Sequence, residues 1–198
     1  MTIVEAIRQI IRTSPASRII ACAPSNSAAD LIASRLKVLG PQLFRLYAPS
    51  RNKKQVPDEL LPFTYRTQSE EGLELFGVPP LAILRRYKVV VVTCISAPVL
   101  HGVGLPRGHF SHIFIDEAGQ ATESESMASI KLLSNNNTNV ILSGDPMQLG
   151  PIIRSPVARF LKFDLSYLER MMQLSWYKPR SWHGKTYVES LAIFIGPH

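Results

Sequence analysis

The chain has 198 residues, of which 45% are hydrophobic and 19% charged, which is the composition of a globular protein with one sizeable core. Lysine and arginine number 22 against 15 acidic residues, and the net charge of +7 suits an anionic partner such as nucleic acid, although many basic proteins bind none. The two cysteines, Cys22 and Cys94, argue against a disulfide scaffold and are expected to be buried thiols. No apolar run reaches the roughly 18 residues of a membrane helix, and no signal-peptide pattern opens the chain, so we expect an intracellular protein without a membrane anchor.

The hydrophobic pattern predicts helices that alternate with strands. Ile3, Ile7 and Ile10 recur at helical spacing, so the chain is expected to open with a helix. A second helix is predicted to end at Gly40, and a third begins with a predicted capping box formed by Thr122 and Glu125. The predicted strands lie in the segments RIIACAPSN, LFRLYAP, YKVVVVTC, SHIFIDEAG and VILSGDP. Residues 50–80, rich in proline, glycine and charge, are expected to form an insertion with one or two short helices.

The strand segments are continuously apolar and end in polar residues. Such strands are typical of a parallel sheet that is covered on both faces, as in doubly wound α/β folds. In these folds, ligands bind outside the carboxyl ends of the strands. The polar residues that end the strands are therefore the candidate site.

Two of these strand ends carry carboxylates. Asp116 and Glu117 follow one strand, and Asp145 with Gln148 follows the next in the segment SGDPMQLGP. A nucleoside triphosphatase needs a carboxylate for Mg²⁺, which prefers oxygen ligands, and a second group that positions the attacking water. Taken singly, Asp-Glu is more often a solvated pair at a helix entry, and Gly-Asp-Pro a simple turn. Their occurrence in order, at successive strand ends, favours the triphosphatase interpretation.

These motifs resemble those of a known family. IDEAGQATE and SGDPMQLGP resemble motifs II and III of the Upf1-like superfamily-one helicases, and ACAPSNSAADLIASRL resembles their motif Ia. FRLYAPSRNKKQVPDEL and GDPMQLGPIIRSP are similar to the Armitage-type branch, RNA helicases of small-RNA silencing. The resemblance implies a RecA-like α/β fold of the P-loop NTPase type, a three-layer sandwich with a mostly parallel sheet. Residues 1–174 would form an incomplete first RecA-like domain, and residues 175–198 a divergent C-terminal tail.

The resemblance also implies a role for each motif residue. Asp116 would coordinate the Mg²⁺ of ATP through water, and Glu117 would polarise the attacking water. Gln148 would contact the γ-phosphate and couple hydrolysis to movement, while Asp145 would support its loop. The implied cofactors are therefore ATP and Mg²⁺.

Motif Ia and the end of the four-valine strand carry the implied nucleic-acid contacts. Pro24, Ser25 and Asn26 would meet the backbone of a single strand of RNA or DNA, and Thr93 would touch the same strand. Serine and asparagine at a strand-to-helix turn offer suitable donors for phosphate groups. The alternative is an ordinary helix N-cap at Asn26 or Ser27.

Two basic clusters and two aromatic residues are candidates for lining a nucleic-acid path, and solvated faces or core packing are the alternatives for them. They are Arg45, Arg51, Lys53 and Lys54; Arg85, Arg86 and Lys88; and the aromatic residues Tyr47 and Phe63.

One family motif does not occur in the sequence, namely the phosphate-binding loop G-x-x-x-x-G-K-[ST]. TIVEAIRQI resembles the helix that follows this loop, so we expect the chain to start just after it and to lack the second RecA-like domain. Because the loop and an arginine finger supply most of the charge stabilisation in phosphoryl transfer, the chain alone is expected neither to hydrolyse ATP at a useful rate nor to unwind RNA.

Three functions remain open at this point. The first is a piece of an ATP-dependent RNA helicase, a monomer in the cytoplasm or its ribonucleoprotein granules, with single-stranded RNA or DNA and silencing-complex proteins as partners. The second is a non-catalytic nucleic-acid-binding or interaction module derived from such a helicase. The third is a different Mg²⁺-dependent hydrolase, which the match at three motifs disfavours.

Overall fold

The computed structural model describes residues 2–145, 148–174 and 193–195. Six strands in these residues form one sheet in the order β2-β5-β1-β6-β7-β8. They are β1 (Ile19–Ala23), β2 (Leu43–Arg45), β5 (Val89–Thr93), β6 (His112–Ile115), β7 (Asn139–Leu142) and β8 (Ile193–Ile195). The first five run parallel, and β8 pairs antiparallel with β7. The predicted α/β fold with a mostly parallel sheet is confirmed.

Seven α-helices lie in the described residues. They are α1 (Thr2–Thr13), α2 (Asn26–Leu36), α3 (Leu81–Leu84), α4 (Pro98–Gly102), α5 (Glu123–Leu133), α6 (Pro156–Phe160) and α7 (Tyr167–Met172). The predicted capping box of Thr122 and Glu125 is present at the start of α5. In this part of the chain no helix has the length and apolar character needed to cross a membrane.

The sheet is covered on both faces. Ile19 and Ala21 of β1 point into a core formed with α1 and α2, whereas Ile20 and Cys22 point into a second core formed with α4, α5 and α7. A strand that alternates between two cores must be apolar at every position, which explains the continuous runs in the sequence. Cys22 and Cys94 are free and buried as expected, and burial raises the pKa of the Cys22 thiol to about 12.

The structure adds detail that the sequence pattern did not predict. The second helix ends at Leu36 rather than Gly40, because a 3₁₀ helix (Lys37–Gln42) follows with Gly40 at a φ of 54°. The insertion contains the expected short helices, at Lys53–Gln55 and Asp58–Phe63. It also contains an antiparallel hairpin of β3 (Arg66–Gln68) and β4 (Glu74–Phe76).

Candidate functional site

The carboxyl edge, where the parallel strands end, gathers the motif residues. β1 lies between β5 and β6, and Thr93 of β5 pairs in register with Ala23. Just beyond the strands, the Asp116 amide donates to the Cys22 carbonyl at 2.8 Å, and the Cys94 amide donates to the Ala23 carbonyl at 2.9 Å. The backbone itself therefore holds motif Ia beside motif II on one side and beside Thr93 on the other.

Glu117 occupies an unusual backbone position in the turn after β6. Its φ of 53° lies in the left-handed region, where residues with a Cβ are strained. Gln120 donates from Nε2 to Glu117 Oε2 at 3.0 Å and fixes the carboxylate. Burial, together with the neighbouring charge of Asp116, raises the pKa of Glu117. A half-buried carboxylate with a raised pKa is a suitable group for polarising a water molecule.

Gly144 allows motif III to touch motif II. The Ala118 amide donates to the Ser143 carbonyl at 2.8 Å, which joins the turn after β6 to the end of β7. A Cβ on residue 144 would lie 3.0 Å from the backbone nitrogens of Ala118 and Gly119, closer than side chains normally approach. Glycine at this position is therefore a packing requirement of the site.

Gln148 and Asp145 contact each other on the same side of this edge. Gln148 donates from Nε2 to Asp145 Oδ2 at 3.3 Å, and its backbone amide donates to the Asp145 carbonyl at 3.2 Å. Gln148 is exposed and lines a shallow depression with Gln120, the partner of Glu117. The structure thus brings the residues predicted for motifs II and III together. Pro146 and Met147 of motif III lie outside the described residues.

The motif Ia turn is capped at a residue other than those considered from sequence. Ser25 has extended dihedrals, φ −122° and ψ 157°, and its Oγ accepts from the Ala28 amide at 3.1 Å, which makes Ser25 the N-cap of α2. The alternative of a cap at Asn26 or Ser27 is wrong, because the helix has already begun at Asn26. Asn26 instead accepts through Oδ1 from Arg45 Nη2 at 3.0 Å.

A buried polar network supports this turn. Arg45 is 0% exposed; it donates from Nε to Asp30 Oδ1 at 2.9 Å and lies 4.0 Å from the Tyr47 ring centroid. The Tyr47 hydroxyl donates to Asp30 Oδ1 at 2.6 Å. The proposals that Arg45 lines a nucleic-acid path and that Tyr47 stacks on bases are therefore wrong, since both side chains are inside the core. Phe63 also packs, partly buried, against that core.

Thr93 lies mostly beneath the surface. It is 6% exposed, and its Oγ1 donates to Ser96 Oγ at 3.0 Å. Ser96, which sequence reasoning did not select, is half-buried on the same turn and offers the more accessible hydroxyl. Because Thr93 pairs with Ala23, both hydroxyls lie beside the Pro24 turn.

A cleft of about 320 Å³ opens between the motif segments. It is lined by Pro24, Ser25, Gln120, Thr122, Glu125, Leu149, Gly150 and Ile152. Leu149 and Ile152 are 85% and 88% exposed. Motif Ia, the turn after motif II and the segment after motif III thus border one groove.

Asp116 fits a magnesium ion that arrives with a nucleotide. In the described part of the chain no three histidine, cysteine or acidic side chains are grouped to hold a metal by themselves. Mg²⁺ typically takes one or two carboxylates and completes its shell with waters and substrate phosphates. The half-buried Asp116 at a strand end is such a carboxylate.

The second basic cluster lies away from these motifs. Arg85, Arg86 and Lys88 precede β5, and the Ile19 amide at the start of β1 donates to the Lys88 carbonyl at 2.8 Å. They therefore lie at the amino edge, where the parallel strands begin. The expectation that they line a nucleic-acid path stays a prediction, and any such path would lie at the end of the strands opposite to motif Ia. In the first cluster, Lys53 forms an ion pair with Glu74, in which Nζ lies 2.6 Å from Oε2.

The chain is similar to known helicases. A family model described as an AAA domain matches residues 80–156. The helicase mov-10-B.1 of Danio rerio is 45% identical over 177 residues, which cover 87% of this chain and 17% of the relative. The RNA helicase Mov10l1 of Homo sapiens is 38% identical, with 90% and 14% covered, and the RNA helicase armi of Drosophila melanogaster is 33% identical, with 90% and 16% covered. The chain thus spans about a sixth of the length of these relatives.

Two observations define the class of protein. One is the parallel α/β sheet with Asp-Glu and Gly-Asp at adjacent strand ends, and the other is this similarity. The chain belongs to the superfamily-one helicases of the Upf1-like group. Within that group its similarity is to the Armitage-type branch, as the sequence motifs indicated.

Proposed function

We propose that the carboxyl edge is the ATP- and RNA-contacting face of the first RecA-like domain of an ATP-dependent RNA helicase. One observation carries the proposal: the Glu117–Gln120 and Asp145–Gln148 pairs lie together where β6 and β7 end. Relatives named RNA helicases support the choice of nucleic acid.

The acidic residues and Gln148 would act on the nucleotide. Asp116 would hold the Mg²⁺ of ATP through water, and bound Mg·ATP supplies the γ-phosphoryl group that water attacks. Glu117, fixed by Gln120, would orient and polarise that water. Gln148, held by Asp145, would contact the γ-phosphate from an exposed turn and report its loss to the neighbouring segment.

The motif Ia turn would hold the nucleic acid. Ser25 and Ser27 present hydroxyls at the start of α2, where backbone amides and the helix dipole favour phosphate. The buried Arg45 orients the side chain of Asn26 by a hydrogen bond, and Thr93 would contribute its hydroxyl to the nucleic-acid contacts beside Ser96. Pro24 lines the adjoining cleft.

The family resemblance supplies the cellular part of the proposal. We place the helicase in small-RNA silencing, acting as a monomer in the cytoplasm or its ribonucleoprotein granules with silencing-complex proteins as partners. Residues 1–174 would constitute part of the first RecA-like domain. The proposed divergent tail, residues 175–198, lies outside the described residues except for the strand at 193–195.

We further propose that the 198-residue chain by itself does not turn over ATP. Its sequence has no phosphate-binding loop, whose amides and lysine contribute most of the charge stabilisation. The same observation favours a second function, a non-catalytic module that keeps the nucleic-acid contacts without hydrolysis.

A hydrolysis assay separates the two functions. A longer form, with a Gly-Lys-Thr loop upstream of Thr2 and a second RecA-like domain downstream, is expected to show RNA-stimulated ATP hydrolysis. Glu117→Gln should abolish hydrolysis while ATP binding persists, and the exposed control Glu71→Gln should leave both unchanged. Retained turnover in Glu117→Gln would contradict the assigned role. Robust turnover by the 198-residue chain alone would overturn the proposal that it is inactive.

A further inference from the structure

The segments that begin the parallel strands carry cations and no acidic residue. The sequence contains no acidic residue in segments 6–29, 75–115 or 126–144. These segments supply the starts of β1, β5, β6 and β7. The acidic motif residues Asp116, Glu117 and Asp145 lie at the opposite edge. The amino edge is therefore basic.

The cations at the amino edge come from neighbouring strands. Arg18 precedes β1, Arg85 and Arg86 precede β5, and Arg107 precedes β6, so that β1 carries Arg18 between the other two sites. Adjacent strands lie about 4.8 Å apart, which places these side chains in a short row. Arg18 donates from Nε to the Arg85 carbonyl at 3.2 Å, which links the first two directly.

Backbone carbonyls, rather than carboxylates, hold the cations in this row. Arg107 donates from Nε to the Ser134 carbonyl at 2.9 Å, and Lys88 donates from Nζ to the Pro15 carbonyl. The ion pairs in the described residues all involve other cations. The row thus keeps its full positive charge while parts of it are fixed in place. Like charges so arranged repel one another, and an external anion relieves that repulsion.

The pKa of His109 reflects its closeness to two of these arginines. It lies in the same loop as Arg107 and is half-buried. Burial, together with the positive charges of Arg18 and Arg85, lowers the pKa of the His109 imidazole to about 4. At neutral pH the imidazole is neutral, and an anion bound between the arginines would raise its pKa.

Exposed amides complete the edge. Asn135, Asn136 and Asn137 form the turn before β7 and are exposed. Gly108, at a φ of 78°, packs against Asn135 so closely that a Cβ would overlap the amide, which brings the Arg107 loop to this turn. Amide and guanidinium groups are typical hydrogen-bond donors to the phosphate and sugar oxygens of nucleic acids.

We propose that the amino edge is a nucleic-acid phosphate-binding surface, separate from the motif Ia edge and located at the opposite end of the strands. A nucleic acid fits better than an acidic protein, because protein interfaces are built on a central apolar cluster and this row is made of arginine and asparagine. A single strand or a duplex arm that leaves the motif edge presents regularly spaced phosphates of the required charge.

Paired charge-removal variants of the 198-residue chain test the proposal. The first is Arg85→Gln with Arg86→Gln, two exposed side chains that make no hydrogen bond or ion pair within the described residues. The matched control, Arg154→Gln with Arg159→Gln, removes the same charge from exposed positions after β7. Binding of fluorescein-labelled oligouridine is measured by anisotropy across a salt series. The first pair should weaken binding about tenfold and lower the salt slope by about 1.4, since each lost phosphate contact contributes about 0.7.

The control pair should change the salt slope much less than the first pair. Equal losses in both pairs would mean that net charge alone matters and would overturn the proposal. Unchanged binding in the first pair would overturn it too, as would tighter binding of polyglutamate than of oligouridine. An NMR titration gives a local readout: oligouridine should raise the pH midpoint of the His109 ring, and this rise should vanish in the first pair. Because no nucleotide is present, failure here leaves the ATP-dependent function untouched.

Discussion

Arg45→Met is expected to destabilise the fold more than other single substitutions near the site. The guanidinium is 0% exposed and donates to Asp30, to the Leu46 carbonyl at 2.6 Å and to Asn26. Methionine keeps much of the volume but none of these donors. The carboxylate of Asp30, whose side chain is 11% exposed, would be left buried with only Tyr47 as a donor.

The cost follows from that unpaired charge. Removing one partner of a buried ion pair typically costs about 3–5 kcal/mol, whereas replacing both partners by apolar groups is often neutral. Because whole domains are stable by only about 5–15 kcal/mol, Arg45→Met should lose a large part of the free energy of unfolding. Adding Asp30→Asn removes the stranded charge and keeps an acceptor for the Tyr47 hydroxyl. The double variant should therefore be more stable than Arg45→Met alone.

Urea unfolding followed by circular dichroism measures these free energies by linear extrapolation. A double-mutant cycle of Arg45→Met and Asp30→Asn should give a coupling energy above about 2 kcal/mol. If the two substitutions add within about 0.5 kcal/mol, the network carries no shared energy and the reasoning is refuted. Anisotropy with oligouridine provides a second readout, because Asn26 loses its donor and motif Ia should bind more weakly even where the protein is folded.

Three further substitutions test the site locally. Gly144→Ala should cost about 1–3 kcal/mol through overpacking and lower the melting temperature by about 2–4 °C per kcal/mol; an unchanged melting temperature would contradict the close approach. Glu117→Gln should stabilise the protein at pH 8 and not at pH 4. Because the pKa of Glu117 is raised in the folded state, the folded state binds this proton more tightly than the unfolded state does. The carboxylate therefore lowers the stability of the fold as the pH rises above the ordinary value of 4.5, and glutamine removes this loss. An equal gain in the free energy of unfolding at both pH values would contradict a raised pKa of Glu117. Thr122→Ala should cost about 1 kcal/mol and speed amide exchange in the first turn of α5; Lys131→Ala, at an exposed position in the last turn, is the control.

The sequence was sufficient where local chemistry and the fold agree. The four valines of β5 are apolar because both faces of the strand are buried, and periodicity detects that directly. Thr122 and Glu125 cap α5 through contacts three residues apart, which spacing alone reveals. Strand-end carboxylates were predictable because parallel strands bring their ends to one edge whatever lies between them.

The sequence was insufficient where a contact joins distant segments. Arg45 is charged and was therefore assigned to the surface, since nothing nearby in sequence shows that Asp30 and Tyr47 receive it in the core. The hairpin of residues 66–76 was not predicted because its strands are short and mostly exposed, so they lack an alternating apolar pattern. The basic row of Arg18 and Arg85 depends on strand order, which periodicity does not specify.

The central position of β1 has a mechanical consequence. Its carbonyls at Cys22 and Ala23 accept from the first residues beyond β6 and β5, so one short strand is the common support of the proposed nucleotide and nucleic-acid contacts. Neither contact can shift by sliding β1 without breaking bonds to the other. The backbone bonds of β1 therefore hold the two proposed contact regions in a fixed relation. Under the proposed function, any movement that follows a change at Glu117 would have to involve the surface segment after β7, where Leu149 and Ile152 are exposed.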